Sequence, residues 1–154
     1  MQHAVLDLTR LWRHVESQFL LGPYSIHGPS HWRRVEGNGL MLARDGSGAD
    51  VTIVRLFAVL HDSRRHDEGT DWGHGERGAE LARLLRGKYF DLSDAELGTL
   101  GAACAGHEKG GVSDNPTIGT CWDADRLDLG RVGARPDPRY MSTDAGRRAA
   151  QGWR

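Results

Sequence analysis

Cysteine is scarce in this chain of 154 residues: Cys104 and Cys121 stand alone in apolar surroundings, with no CxxC pair. That speaks against a disulfide framework, and both read as reduced core thiols. Long apolar runs are absent too, none approaching the roughly 20 residues that cross a bilayer. The N-terminus lacks a basic region followed by an apolar core and a small-residue cleavage site. The expectation is a cytoplasmic protein with no membrane partner. Net charge is the third absence. With 20 Lys and Arg against 21 Asp and Glu, the formal charge is -1. Such a balance does not draw a chain to nucleic acid as its main partner, although it leaves room for a local basic pocket that holds a small phosphate. No internal repeat and no low-complexity tract interrupts the chain.

What is present is ordinary in bulk, 38% hydrophobic and 27% charged, apart from 21 glycines, about twice the usual share. The glycines are expected at helix ends and tight connections. One domain over 1–154 is the expected organisation, with a core at about 25–130 and a C-terminal tail at 131–154.

Apolar spacing predicts a first amphipathic helix from Ala4 to Leu21, stopped by Gly22-Pro23. Pro29-Ser30 opens a second helix that runs to Asp45-Gly46, with His31 in its first turn. Asp50 caps a third, whose residues Val51 to Leu60 are apolar nearly all round, as in a helix at the centre of a bundle. A charged, glycine-containing loop, 63–73, follows. His74 opens a fourth helix, and Ser93 with Glu96 forms the capping box of a fifth, which runs out at His107. Asn115-Pro116 starts a sixth helix, continuing through Leu129 and carrying Asp123, Asp125 and Asp128; a short polar helix around 144–151 closes the chain. The fold class is all-α, a bundle of about six helices plus a tail.

The third helix ends abruptly in His61-Asp62-Ser63-Arg64-Arg65. A neutral nitrogen donor and an anionic oxygen donor at the mouth of a buried helix need compensation, and a divalent cation supplies it for both. His31, His74, His107 and Asp125 also fall near helix ends. Helices packed side by side can bring such ends together around one ion.

His31 in His-Trp-Arg-Arg-Val, the pair His61-Asp62, and Asp125 in Trp-Asp-Ala-Asp-Arg-Leu resemble the ordered H...HD...D signature of the HD-domain metal-dependent phosphohydrolases. The resemblance covers about residues 25–130. It implies that His31, His61, Asp62 and Asp125 hold a first metal. It implies further that His74 and His107 are the two extra histidines of the dinuclear branch, with Asp62 bridging. Many dinuclear members carry a lysine four residues after the histidine of the pair; here it is Arg65, which keeps the cation and adds a planar fork suited to phosphate. The implied cofactor is one or two divalent transition-metal ions, of Fe, Mn, Co, Ni or Zn.

The chemistry expected of such a site is hydrolysis of a phosphate ester in a small phosphorylated molecule, a nucleotide among the candidates, by metal-activated hydroxide. Asp62, Arg65 and Lys109 are the candidate catalytic residues. Arg64, Arg65, Lys109 and Arg135, with Arg139 as a further cation, are the candidates for offsetting negative charge on phosphate. Glu108 or Asp128 could steer a proton, though Asp128 could equally serve a surface partner such as Arg126. Two other readings stand beside this one: a diiron oxygenase of the same ligand set cleaving a C-C or C-P bond in a small polar substrate, and a non-catalytic module that retains metal for stability. His27 and His66 are read as loop histidines without an assigned role, His3 and His14 as solvated, and Trp32, Trp72 and Trp122 as core or pocket wall.

Overall fold

The computed structural model describes residues 6–153. Ala4, Val5 and His3 lie outside them. Seven α-helices account for most of the chain: α1 Leu8–Gln18, α2 Pro29–Arg44, α3 Val51–Leu60, α4 His74–Leu85, α5 Asp94–Gly106, α6 Pro116–Arg126 and α7 Asp144–Gln151. Two 3-10 turns, Leu129–Val132 and Pro138–Tyr140, interrupt the stretch before α7. Among the described residues there is no sheet, only isolated bridges joining Phe90 to Leu6 and Arg86. No helix there is long and apolar enough to cross a membrane.

The caps stand where the sequence puts them. Asp50 accepts from the Thr52 and Ile53 amides, Asn115 from Thr117 and Ile118, and Ser93 and Glu96 form a reciprocal capping box. Such side chains satisfy amides that have no partner inside the helix. Two expected boundaries move. The first helix is shorter than Ala4 to Leu21, because Asp7 takes the cap position and accepts from the Arg10 amide, while Phe19 turns extended and sets its ring edge-on to Trp32. The sixth helix stops at Arg126, and Leu129 falls in the 3-10 turn beyond it.

α3 is the axis. Ile53, Val54 and Leu56 to Leu60 are all buried, so the helix has almost no solvent face. α2, α5 and α6 pack around it, and α4 lies against α5. Glycines do more than end helices. A Cβ at Gly75 would collide with the Cys104 carbonyl, and one at Gly78 would stand 2.7 Å from the Leu60 carbonyl. Separated by three positions, these two share a face of α4 and let its backbone lie directly on α5 and on the end of α3. Chain direction then decides what meets. α2 and α4 begin, and α3, α5 and α6 end, in one region, where His31, His74, His61-Asp62, His107 and Asp125 sit.

The tail helix is tied down by one buried carboxylate. Asp123 accepts from the Ser142 amide (2.6 Å), the Thr143 amide (2.9 Å) and the Thr143 hydroxyl (2.7 Å), while Thr143 caps α7. Gly146 leaves room for it; a Cβ there would collide with that carboxylate. Cys104 and Cys121 are buried and unpaired in the core.

Candidate metal centre

Four imidazoles in this region, those of His31, His61, His74 and His107, have Nδ1 against an acceptor. His31 Nδ1 lies 2.7 Å from Asp128 Oδ2. His61 Nδ1 faces the Phe57 and Ala58 carbonyls at 3.1 and 3.0 Å, the last turn of α3. His74 Nδ1 faces the Asp71 carbonyl at 2.7 Å and Glu108 Oε2 at 2.5 Å, and His107 Nδ1 the Cys104 carbonyl at 2.7 Å. These neighbours assign a proton to Nδ1 in all four rings, so that each ring in its neutral form offers an Nε2 lone pair.

The lone pairs converge. His31 Nε2 is 3.1 Å from His61 Nε2, 3.2 Å from Asp62 Oδ2 and 3.1 Å from Asp125 Oδ1. His61 Nε2 is 3.5 and 3.3 Å from the same two oxygens. On the other side, His74 Nε2 and His107 Nε2 are 3.0 Å apart and each 3.1 Å from Asp62 Oδ1. Neutral acceptors this close repel one another unless a cation lies among them. Ligands at about 2.1 Å from one ion are themselves separated by about 3.0 Å in octahedral and 3.4 Å in tetrahedral arrangement. The observed spacings match. His31, His61, Asp62 and Asp125 form one group and Asp62, His74 and His107 another, each able to hold an ion, with the two Asp62 oxygens divided between them. The groups suit one or two divalent transition-metal ions.

Electrostatics points the same way. Burial opposes protonation of His31, yet Asp125, Asp128 and Asp62 together raise its pKa to about 10. Burial likewise works against the charged forms of Asp62 and Asp125, but the surrounding imidazoles hold both well below the usual carboxylate range. Burial lowers His61, whereas the Asp62 carboxylate overcomes burial and raises His107. The cavity therefore carries excess negative potential. The C-terminal ends of α3, α5 and α6 bring the negative poles of three helix dipoles, against the two positive poles where α2 and α4 begin. Asp125 Oδ1 completes the fit: it is buried with no hydrogen-bond partner, an acceptor lacking a cation.

The other residues around the cavity, which measures about 250 Å³, are Arg65, Glu108 and Arg131. Arg65 Nε is 3.8 Å from Asp62 Oδ1, and Arg131 Nη2 is 3.9 Å from Asp125 Oδ1. The remaining cations named from the sequence are not brought here. Arg64 is exposed and does not line the cavity. Lys109 is exposed and pairs with Glu76 at 3.6 Å. Arg135 borders a separate pocket with Leu129, Tyr140 and Met141, and Arg139 pairs with Asp137. Neighbours along a turn point about 100° apart, so closeness in sequence to a ligand does not place a side chain beside it.

Sequence reasoning passed over Arg131, and it left His27 without a role. His27 is buried: its Nε2 donates to the Glu68 carbonyl (3.0 Å) and its Nδ1 lies 3.8 Å from Asp62 Oδ2. Glu108 and Asp128 lie against imidazoles of the site. They hold the Nδ1 of His74 and His31, an arrangement that orients metal-binding imidazoles and raises their basicity. The Asp128 signal was available, three residues after Asp125 and just past the end of its helix. His66 is exposed, and His14 is half-buried beside Tyr89 instead of solvated. Trp32 is fully buried, Trp122 packs on Gly106, and Trp72 is 79% exposed, so it is neither core nor wall.

No family model matches the chain, and no curated protein matches it. A solved structure does: a crystal structure described as a predicted HD superfamily hydrolase from an uncultured Thermotogales bacterium, with TM-score 0.74 and 27% identity, over 97% of this chain and 86% of that one. The chain has the HD-superfamily metal-dependent phosphohydrolase fold, and its His/Asp clusters match the dinuclear pattern.

Proposed function

We propose that this chain, with that fold and those two ligand clusters, is a metal-dependent phosphohydrolase whose substrate is a small phosphorylated molecule, a nucleotide among the candidates. One observation carries the reading: four imidazole Nε2 atoms and the carboxylates of Asp62 and Asp125 converge at 3.0–3.5 Å, every imidazole being fixed by an acceptor at its Nδ1.

His31, His61, Asp62 and Asp125 would hold one ion, and Asp62, His74 and His107 a second. Ions held there lower the pKa of a water toward 7 and draw charge from phosphoryl oxygens. The protein's own groups do the rest. Asp128 and Glu108 keep His31 and His74 in the tautomer that offers Nε2. Buried α3 keeps the surroundings dry, which strengthens every charge interaction in the cavity. Arg65, held by the Asp67 and Gly69 carbonyls at 2.9 Å each, places a fixed cation beside Asp62. A cavity of about 250 Å³ lies below the ~300–1,000 Å³ that encloses drug-sized ligands. It admits the phosphoryl end of the substrate and leaves the remainder outside.

The test is elemental analysis of protein purified without added metal, then phosphate release by the metal-loaded protein from phosphomonoesters, phosphodiesters and nucleotides. Turnover of at least one class is expected. Full metal occupancy with no ester cleaved, or with dioxygen consumed instead, would overturn the reading.

A further inference from the structure

Buried side-chain polar atoms without a hydrogen-bond partner are few among the described residues, and all but the Arg126 atom, which borders the separate pocket by Tyr140, gather here. They are His27 Nδ1, Arg65 Nε, Asp125 Oδ1, Arg126 Nη2 and Arg131 Nε. Asp125 Oδ1 is accounted for by a cation. The nitrogens of Arg65 and Arg131 pose the opposite question, since each is a buried donor lacking an acceptor, and native structures rarely leave such groups unused.

The two arginines are placed alike. Arg65 stands beside the Asp62 oxygen that faces His74 and His107; Arg131 stands beside the Asp125 oxygen that faces His31 and His61. Each is fixed from its far side. Arg65 Nη1 donates to two loop carbonyls, and Arg131 Nη1 donates to the Asp128 carbonyl at 2.9 Å. Side-chain exposure is 11% and 12%. The turn that presents Arg131 is supported in turn by the tail, because the Trp153 ring lies against Gly130. Neither guanidinium needs to be ordered when an anion arrives, which removes part of the cost of binding.

Charge then indicates which anion. Behind His31, Asp128 is balanced by half-exposed Arg34; at the site itself Asp62, Asp125 and Glu108 stand against Arg65 and Arg131, one negative charge in excess. Two divalent ions turn that into three positive charges. A hydroxide nucleophile and a phosphoryl group bearing two negative charges bring the buried cluster to neutrality, whereas a singly charged diester leaves one positive charge uncompensated. Uncompensated charge in a buried cluster is costly.

We propose that Arg65 and Arg131 form a matched pair, one at each ligand cluster, that selects a doubly charged terminal phosphoryl group, as in a phosphomonoester or the end of a polyphosphate chain, over the phosphate of a diester. The selection rests on the phosphohydrolase reading for its substrate, but anion binding can be measured apart from turnover.

The experiment uses metal-loaded wild type, Arg65→Met, Arg131→Met and Arg131→Lys. Metal content is measured first, then inorganic phosphate binding by calorimetry, then kcat/KM on p-nitrophenyl phosphate and bis(p-nitrophenyl) phosphate. Metal content is expected to stay at the wild-type value, and phosphate affinity to fall about 10- to 100-fold in either Met variant, the loss of one charge-assisted contact. The Arg131→Lys variant recovers part of it, a charge without the fork. Monoester turnover falls by a similar factor and diester turnover by much less. Phosphate bound as tightly by both Met variants as by wild type overturns the pairing, as does loss of metal or an equal fall on both esters. If wild type cleaves no ester yet binds phosphate in an arginine-dependent way, the hydrolase reading fails and the anion site stands; if it neither cleaves nor binds, both fail.

Discussion

Gly78→Ala separates a packing claim from a chemical one. The new Cβ would lie 2.7 Å from the Leu60 carbonyl oxygen and 3.3 Å from that of His61, roughly 0.7 Å inside ordinary contact for the first. Those atoms cannot swing away: the Leu60 carbonyl already accepts from the Ser63 amide (3.2 Å) and hydroxyl (2.8 Å), and it closes the last turn of α3. α4 must move instead, by about half an ångström, and His74 rides on its first residue. Overpacking of this kind costs about 1–3 kcal/mol. At about 2–4 °C per kcal/mol for a chain of this size, Tm should fall by about 2–12 °C. Metal ligands tolerate about 0.2 Å of displacement. The cluster of Asp62, His74 and His107 should therefore weaken while that of His31, His61, Asp62 and Asp125 persists. Gly98→Ala is the control, an exposed position in α5 with nothing within 4 Å, where removing backbone freedom should stabilise by about 0.5–1 kcal/mol. Thermal melts of the metal-free proteins and metal titration of the loaded ones read both effects. If Gly78→Ala melts with Gly98→Ala and binds metal like wild type, the direct contact between α4 and the end of α3 is not what positions His74.

Asp128→Asn replaces the carboxylate at His31 Nδ1 with an amide and should weaken metal affinity about 10- to 100-fold, read by competition with a chromophoric chelator; unchanged affinity would remove Asp128 from the site. In the metal-free protein the His31 pKa is raised from 6.5 to about 10, so its stabilising contribution is complete below pH 6.5 and is lost as pH rises through about 10. Asp62 and Asp125 are depressed, so theirs is present above the unfolded value and lost as pH falls. The metal-free Tm should accordingly decline from pH 6.5 to 10, and metal binding near neutrality should release a proton, visible as a buffer-dependent enthalpy; a Tm that climbs across that window contradicts the charge balance described. Cys104 and Cys121, whose thiols burial pushes upward, should react with a disulfide reagent only on unfolding, and fast labelling of the native protein would show that the core opens.

The helices were legible because they are written in short-range patterns; the clustering of the six His and Asp residues was legible through an ordered signature that resembles a known family. Pro29, Asp50, Ser93 with Glu96, and Asn115-Pro116 mark helix starts by satisfying or dispensing with amides, and the apolar run before His61 marks a buried helix. His31, His61 and Asp62 lie within a turn of such a mark, whereas His74, His107 and Asp125 do not. Nor does Arg131. Its position depends on a 3-10 turn after α6, whose geometry has no apolar period to announce it, and on a tail held by Asp123, Gly146 and Trp153. Arg64, Lys109 and Arg135 were chosen for nearness along the chain to a ligand or to the tail, and the direction of each side chain decided otherwise. Gly75 and Gly78 were hidden differently. In sequence they weaken a helix, and only the approach of two backbones explains why a helix would carry them.

That approach also explains why the site occupies helix ends. At mid-helix, backbone amides and carbonyls are paired with each other, and only side chains can fix a ligand. In the last turn the carbonyls have acceptor capacity to spare, so Ala58 in α3 and Cys104 in α5, and Phe57 in addition to the His61 amide it already takes, can accept from His61 and His107 without any further side chain. The two histidines that open helices lack this resource, since free amides cannot accept. For them the chain supplies carboxylates, Asp128 for His31 and Glu108 for His74, the latter beside the Asp71 carbonyl. Glu108 also accepts from the Gly73 amide (3.0 Å) at the start of α4, so it serves as cap and orienting group at once. The requirement is the same in all four rings, a proton held at Nδ1, and helix direction determines whether backbone or side chain meets it. It follows that substitutions at Asp128 and Glu108 reach the metal clusters, while no side-chain substitution can remove the acceptors behind His61 and His107.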